Sequence, residues 1–568
     1  MYIATVPNRG SPPAILLRAG YREGGQVKNR TLANLTKWPP PKIDLLRRLL
    51  RDEPLAPRDA LFEVVASTHH GHVQAIRTTI QRLGFDSLLA SRPSRERDLV
   101  VAMVTARILE PDSKLATTRW WHTTTLPADL GVSDADEDAL YEAMDWLLAR
   151  QDRIEPKLAA RHLQAGGLVL YDLTSSYFEG TTCPLAAFGH NRDGKKGKLQ
   201  VNYGLLTDAR GCPVAVSVFK GNTGDPPTLL PAVQRVRAKF GIEHLVIVGD
   251  RGMISQTQIT ALQALDGVNW ITALKTGALR ALVAEGHVQL GLFDEHNLFA
   301  LTHPDFPGER LVACRNPELA KLRAHKRQAL LAATVKELDK VRAMVARGTL
   351  TGRDAIGVRV GKVVNKYKVA KHVQLEIHDD RFGFQIDEAR VAAEAALDGI
   401  YVIRTSVPSE RLAAADAVRS YKRLSDVERA FRSLKTIDLK VRPIRHRLEA
   451  RVRAHIFLCM LAYYVEWHMR EAWRPLLFSD EDQAAKQTRD PVAPAKRSAA
   501  ALRKVHTKVL DDGTSVHSFA TLLKDLSRIV RNVCRPRGAG SEAPTFEIVT
   551  TPSPAQQRAY HLLKTIAV

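Results

Sequence analysis

The sequence predicts an α/β fold, a mixed sheet interrupted by an inserted segment of helix and strand and preceded by a helical module. Three observations predict it. Residues 41–165 carry apolar side chains at helical spacing. Two short apolar runs, GGLVLYDLT from Gly166 and HLVIVGD ending at Asp250, read as buried strands within an alternation of strand and helix. That alternation stops near residue 275 and resumes near residue 406.

Taken in order, residues 1–40 are short extended pieces around Gly and Pro, the look of a small β-hairpin. Residues 41–165 are read as one helical module. Ser94 is the expected N-cap of ERDLVVAMVTARIL, and Ser133 stands before an acidic first turn and ALYEAMDWLLAR. The first part of the sheet occupies residues 166–274. LQVNYGLLTD and CPVAVSVFKG form a hairpin around Asp208–Gly211, a helix is expected over Pro226–Phe240, and NWITAL is a further strand. Residues 275–405 are the insertion. It has a charged helix over Pro317–Arg347, strand-like pieces IGVRVGKVV and VQLEIHDDRFGFQID, and GIYVIRTS. Residues 406–475 resume the core with two helices, SYKRLSDVERAFRSLK and LEARVRAHIFLCMLAYYVEWHM. Residues 476–568 are a polar linker (Asp480–Arg497) and a tail with one amphipathic stretch, SFATLLKDLSRIVRNV, suited to oligomerisation.

Composition narrows the function. The 568 residues include 83 Lys and Arg against 61 Asp and Glu, a net charge of +22. Such an excess favours a polyanion, because neutralising phosphates releases condensed counterions. Nucleic acid is the first candidate. A membrane is not supported, since no run of 18 apolar residues occurs, and no secretory leader is expected at MYIATVPNRGSPP. Five scattered cysteines without a C-x-x-C pair point away from disulfides or a zinc ribbon and toward a reducing cytoplasm.

The chemistry lies in acidic residues. Asp172 and Asp250 are each read at the C-terminal end of an apolar strand, the edge where α/β sheets place their sites. One such Asp alone is more often a turn residue. Two brought close repel each other unless a cation lies between them, and hard divalent ions prefer carboxylate and phosphate oxygens. A third carboxylate, Glu428, lies in a stretch that is helical by pattern. At ~100° per residue, positions seven apart differ by only ~20° in direction. Tyr421, Glu428 and Lys435 therefore share one edge if the helix is continuous, with Arg432 close by and Leu424, Val427, Phe431 and Leu434 forming the apolar stripe. Taken alone, that edge reads as a solvated salt-bridge face.

These segments resemble the bacterial insertion-sequence transposases with an RNase H-like DDE core, in the subgroup whose third acidic residue lies in a Tyr-x2-Arg-x3-Glu-x6-Lys signature. Here it reads Tyr421-x2-Leu424-x3-Glu428-x6-Lys435. FEG after Asp172, GNTGD (Gly221–Asp225), DRGM from Asp250 and IRHRLEARVRAHIFLCMLAYY are also similar to the family's segments. The resemblance implies an RNase H-like fold for the core and Asp172, Asp250 and Glu428 as the catalytic ligands of two Mg²⁺ (or Mn²⁺) ions. It implies that the helical module of residues 41–165 binds DNA and recognises the element's terminal inverted repeats, with cleavage there followed by attack of the 3′-OH ends on target DNA. The expected partner is double-stranded DNA, both transposon ends and target, with a homodimer or higher assembly formed on it. The expected location is the bacterial cytoplasm, at the nucleoid when acting. Tyr421, Arg432, Lys435, Arg251, Arg442 and Arg445 are the expected phosphate contacts. The signature Arg is Leu424 here, and Arg423 is rotated ~100° off the edge. Residues 271–400 contain no Trp for a hairpin-type stack, leaving Phe293 or Phe382 as aromatic candidates. Two rival functions share these residues: a nuclease without strand transfer, and a silent DNA-binding derivative.

Other clusters carry bland readings. His69, His70 and His72 are better explained by a loop before a helix than by a metal. Trp120 and Trp121 are better explained by core packing. Lys195, Lys196 and Lys198 fit a solvated loop as well as a phosphate contact.

Overall fold

A computed structural model describes residues 1–53, 61–288, 291, 293, 297–493, 496–537 and 540–567. It divides into two compact units, residues 1–68 with 530–550, and residues 69–529 with 551–568. The expected six-part division does not follow these boundaries, because strands far apart in sequence pair with one another. In the expected linker, residues 494 and 495 lie outside the described residues.

In the smaller unit, residues 1–40 form a three-stranded antiparallel meander, Tyr2–Asn8, Ser11–Glu23 and Gln26–Asn34, rather than a single hairpin. A helix follows at Pro40–Leu49 with Pro in its first turn, where the missing N–H costs nothing. The expected helical module is then interrupted. Phe62–His69 is a strand in a second sheet with Val530–Pro536 and Phe546–Val549. Glu63 is ion-paired with Arg535 across it.

In the larger unit, helices at Gly71–Arg82, Arg95–Leu109, Glu137–Leu148 and Gln151–His162 form the helical part. Ser94 caps the second, accepting from Arg97 N–H at 3.3 Å. The cap of the third is Asp136 rather than Ser133.

The main sheet has eight strands: β1 (Leu168–Tyr177), β2 (Gln200–Thr207), β3 (Pro213–Lys220), β4 (Leu245–Val248), β5 (Val268–Ala273), β6 (Leu298–Leu301), β7 (Arg310–Arg315) and β8 (Ile400–Thr405). Their order is β6-β7-β8-β5-β4-β1-β2-β3. β1, β2 and β3 are antiparallel, and β4 and β5 continue parallel to β1. This β3-β2-β1-β4-β5 arrangement is the RNase H-like core. The insertion is not separate from it: β8 pairs antiparallel with β5 and β7 with β8, so the inserted chain widens the sheet.

Every residue of β2 is buried, and Pro226–Phe240 is the helix expected there. The helix Glu449–Ala472 is buried on all sides along most of its length, packing on β3 and on the helices Arg95–Leu109 and Glu137–Leu148. An all-round apolar helix needs such a double-sided site.

Within the insertion, IGVRVGKVV is helix (Arg353–Tyr367), not strand. Ile356, Val360 and Val364 recur every fourth residue and bury one stripe, and that period outweighs the β-branched composition. This stripe, Leu338 and Val341 of the helix Pro317–Ala346, and the hairpin Val373–Ile377/Phe382–Ile386 share a separate small core. Phe382 is buried in that core and Phe293 in another, which removes both as free stacking residues.

The first glycine of GNTGD has a steric reason. A Cβ on Gly221 would lie 1.9 Å from Gln200 O and 2.7 Å from Ala187 O. Gly221→Ala is expected to destabilise the fold by about 3 kcal/mol through this overpacking, measured by urea denaturation. A loss near zero would mean that the two backbones can separate freely.

A candidate carboxylate site

β1 and β4 are parallel neighbours with Leu170 opposite Val248. Asp172 stands two residues further along β1, and Asp250 stands two residues past the end of β4 at Val248, at the same end of the sheet. Asp250 does not end its strand, which stops at Val248; it opens the turn that follows. Nor does Asp172: β1 continues to Tyr177 because β2 pairs with it as far as Gln200. Gly252 and Met253 N–H groups donate to Asp250 Oδ1 at 2.9 and 2.8 Å, fixing that carboxylate in a tight turn. Leu173 N–H donates to Asp172 Oδ1 at 2.8 Å. Burial pushes the Asp172 carboxyl up to about 7. The Leu173 N–H and Arg192 pull it down, while Asp250 and Asp225 push it further up.

Glu428 comes from the helix Leu424–Arg432. Leu424, Val427, Ala430 and Phe431 bury the other side of that helix, which packs on β1, with the Phe431 ring edge-on to Tyr203. Glu428 is left exposed. Tyr421 stands near the end of the preceding helix, Ala414–Lys422. Burial raises its phenol to about 12, and Asp250, Glu428 and Asp172 push in the same direction while Arg251 opposes them.

The helix is not continuous across this region. It breaks at Arg423, between Ala414–Lys422 and Leu424–Arg432, and widens into a π-turn at Ser433–Ile437. The α-helical spacing that set Lys435 beside Glu428 does not hold through that turn. Lys435 is buried and donates to Asp193 Oδ1 at 2.9 Å, and Arg442 is ion-paired with the same carboxylate. Arg445 is exposed and pairs with Glu179 at 3.1 Å. Arg432 and Arg251 are exposed. Arg423 does not replace the missing signature Arg, since its Nη1 donates to Ala209 O at 3.1 Å.

Sequence reasoning missed Arg192, Asp193 and Asp225. Arg192 is ion-paired with Asp225, and both charges reach Asp172. The signal lies in NRDGKKGK, where an Arg-Asp pair precedes the lysines. Lys195, Lys196 and Lys198 are exposed. The other clusters keep their bland readings. His70 hydrogen-bonds Thr125 Oγ1 at 2.9 Å, His72 is buried in the first turn of Gly71–Arg82, and Trp121 is fully buried.

The candidate donors are three carboxylates, and the charge of Asp250 opposes ionisation of Asp172. Oxygen ligands of this charge fit a hard divalent cation, which would relieve that repulsion. Among the described residues no helix is long and apolar enough to cross a membrane.

Residues 166–465 match the family described as Transposase DDE domain, and residues 3–57 match the IS1634 family transposase N-terminal domain. Among solved structures the chain is similar to piggyBac transposase in a synaptic complex with hairpin DNA. The identity is 10%, with 80% of this chain and 77% of that chain covered and a TM-score of 0.32. It is also similar to Mos1 transposase in a paired-end complex with the left transposon end, at 10% identity, 34% and 66% coverage and a TM-score of 0.15. No curated protein matches.

Proposed function

Because the chain belongs to the transposase DDE-domain family of insertion sequences, we propose that it cuts DNA at the ends of its element and joins the 3′-OH ends to target DNA. The observation that carries this reading is the placement of Asp172 in β1, of Asp250 just past the end of the neighbouring parallel strand β4, and of Glu428 on a helix that packs on β1. Asp172, Asp250 and Glu428 would hold two Mg²⁺ or Mn²⁺ ions, supplying an activated nucleophile and a counter-charge for the scissile phosphate. The protein's own groups do the positioning. The Tyr421 phenol keeps its proton at neutral pH and can donate it in a hydrogen bond to a phosphate oxygen. Arg432 and Arg251 present exposed cations to the DNA backbone. Lys435 and Arg442 act through Asp193, holding the floor of the site rather than the phosphate.

The helices between Gly71 and His162 are assigned to recognition of the terminal inverted repeats, and the C-terminal tail to assembly of two chains on double-stranded DNA in the bacterial cytoplasm. Arg432→Ala is expected to weaken binding across all sequences and to lower the salt slope by about one contact, read by fluorescence anisotropy. An unchanged slope would remove Arg432 from the interface. The test of the whole reading is a joining assay with end-sequence DNA and a supercoiled target in Mg²⁺. Joined product is expected. Hydrolysis without joining would replace the transposase reading with a nuclease.

A further inference from the structure

Among the described residues a second cluster, distinct from the carboxylates, gathers soft ligands. His162 ends the helix Gln151–His162, Cys212 follows the turn between β2 and β3, and His468 lies in the helix Glu449–Ala472. One ligand atom from each lies within 4.8 Å of the other two. Cys212 Sγ is 3.9 Å from His468 Nε2, and the two imidazole rings are 5.6 Å apart. In a tetrahedral zinc site with N and S ligands, the donor atoms sit roughly 3.3–3.6 Å from one another. Small side-chain movements would close the present spacing to that value.

We propose that His162, Cys212 and His468 bind a borderline-soft divalent cation of the Zn²⁺ type. The surroundings supply what such a site needs. Tyr464 OH lies 3.0 Å from His162 Nε2, so that nitrogen can donate to the hydroxyl and leave Nδ1 with its lone pair. Asp208 is buried beside the cluster and acts electrostatically on both His162 and Cys212. Its Oδ2 is held by the Arg210 side chain, whose Nε donates to it at 2.9 Å, and that oxygen is freed to balance charge or complete the coordination once Arg210 moves away. Its Oδ1 accepts from the N–H groups of Arg210 at 2.8 Å and Cys212 at 2.9 Å, which fixes the turn. The group in the way is Arg210, whose Nη2 lies 3.3 Å from His162 Nδ1. Its side chain is 61% exposed, so it can swing into solvent as the cation enters. On binding, the Cys212 thiol would release its proton to solvent and ligate as thiolate.

The position gives the site a purpose. Its turn also holds the helix that bears Glu428: Arg423 donates to Ala209 O, and Gly211 approaches Asp426 so closely that a Cβ would lie 2.9 Å from the Asp426 Cβ. A bound cation would brace three segments distant in sequence beneath that helix.

The test is a Co²⁺ titration of the full chain, followed by absorbance. The expected result is one Co²⁺ per chain that gives a thiolate-to-cobalt charge-transfer band, displaced by Zn²⁺. The band should persist in Asp172→Asn and vanish in Cys212→Ser. No band in the wild-type chain, or a band that survives Cys212→Ser, overturns the proposal. Alkylation of the wild-type chain in moderate urea, mapped by mass spectrometry, gives the answer if the Cys212→Ser chain fails to fold. Zn²⁺ should slow modification of Cys212 and leave Cys183 and Cys314 unchanged. Equal protection of all three, or none at Cys212, overturns it.

Discussion

Asp172→Asn is expected to abolish DNA cleavage while leaving the fold intact. The substitution keeps the shape of the side chain and removes a charge that would hold both cations. Such ions contribute several kcal/mol of transition-state stabilisation, so the loss should be roughly a thousandfold or more. Stability should move the other way. Asp172 is pressed by burial and by the charge of Asp250, and a neutral amide is spared both. Without divalent ions the variant should therefore melt at or above the wild-type temperature, and it should bind DNA at least as tightly, because one negative charge near the phosphates is gone. The check is a paired measurement of cleavage rate and thermal unfolding. Cleavage near the wild-type rate would take Asp172 out of the site. Lost cleavage with lost stability would mean that the residue is structural.

Asp193→Ala should produce the largest stability effect at the site. The Asp193 side chain is 2% exposed and lies between Lys435 and Arg442. It also accepts from Tyr177 N–H at 2.9 Å, which joins the loop to the end of β1. Removing it leaves two largely buried cations without a counter-charge. Breaking a buried pair in this way costs about 3–5 kcal/mol. Asp193→Asn should cost less, because the amide oxygen still accepts. Urea denaturation of the two variants gives the comparison. A loss below about 1 kcal/mol for Asp193→Ala, the range of exposed pairs, would mean that Lys435 and Arg442 find other partners and are free to meet phosphate.

The strands and helix that carry the candidate site are legible in the sequence, because their patterns are local. The apolar runs before Asp172 and Asp250 are strands since nothing polar interrupts them, and their shared register follows once β1 and β4 pair. The stripe of Leu424, Val427 and Phe431 correctly orients Glu428 away from the core. What escapes is long-range or a matter of geometry. No local pattern announces that residues 310–315 and 400–405 would join the main sheet, or that Phe62–His69 would pair with Val530–Pro536. A π-turn looks like α-helix in sequence, and only the extra residue in the turn of Ser433–Ile437 moves Lys435 off the Glu428 edge. SFATLLKDLSRIVRNV reads as one amphipathic stretch but divides into helix at Phe519–Leu526 and strand from Val530. The β-branched run at Ile356 misleads in the opposite direction, since valine suits a buried helical stripe as well as a strand.

The central claim is that Asp172, Asp250 and Glu428 together form one site for two divalent cations. Iron-directed cleavage of the polypeptide tests it most directly. Fe²⁺ replaces Mg²⁺ at oxygen-ligand sites, and with ascorbate and peroxide it generates radicals that cut the nearby backbone. The full chain, preloaded with Zn²⁺ to occupy the His162–Cys212–His468 cluster, should be cut close to residues 172, 250 and 428. All three cuts should be suppressed together by excess Mg²⁺ and by Asp172→Asn. Cuts at the two aspartates without one near Glu428, or cuts at all three that Asp172→Asn leaves unchanged, would contradict the account.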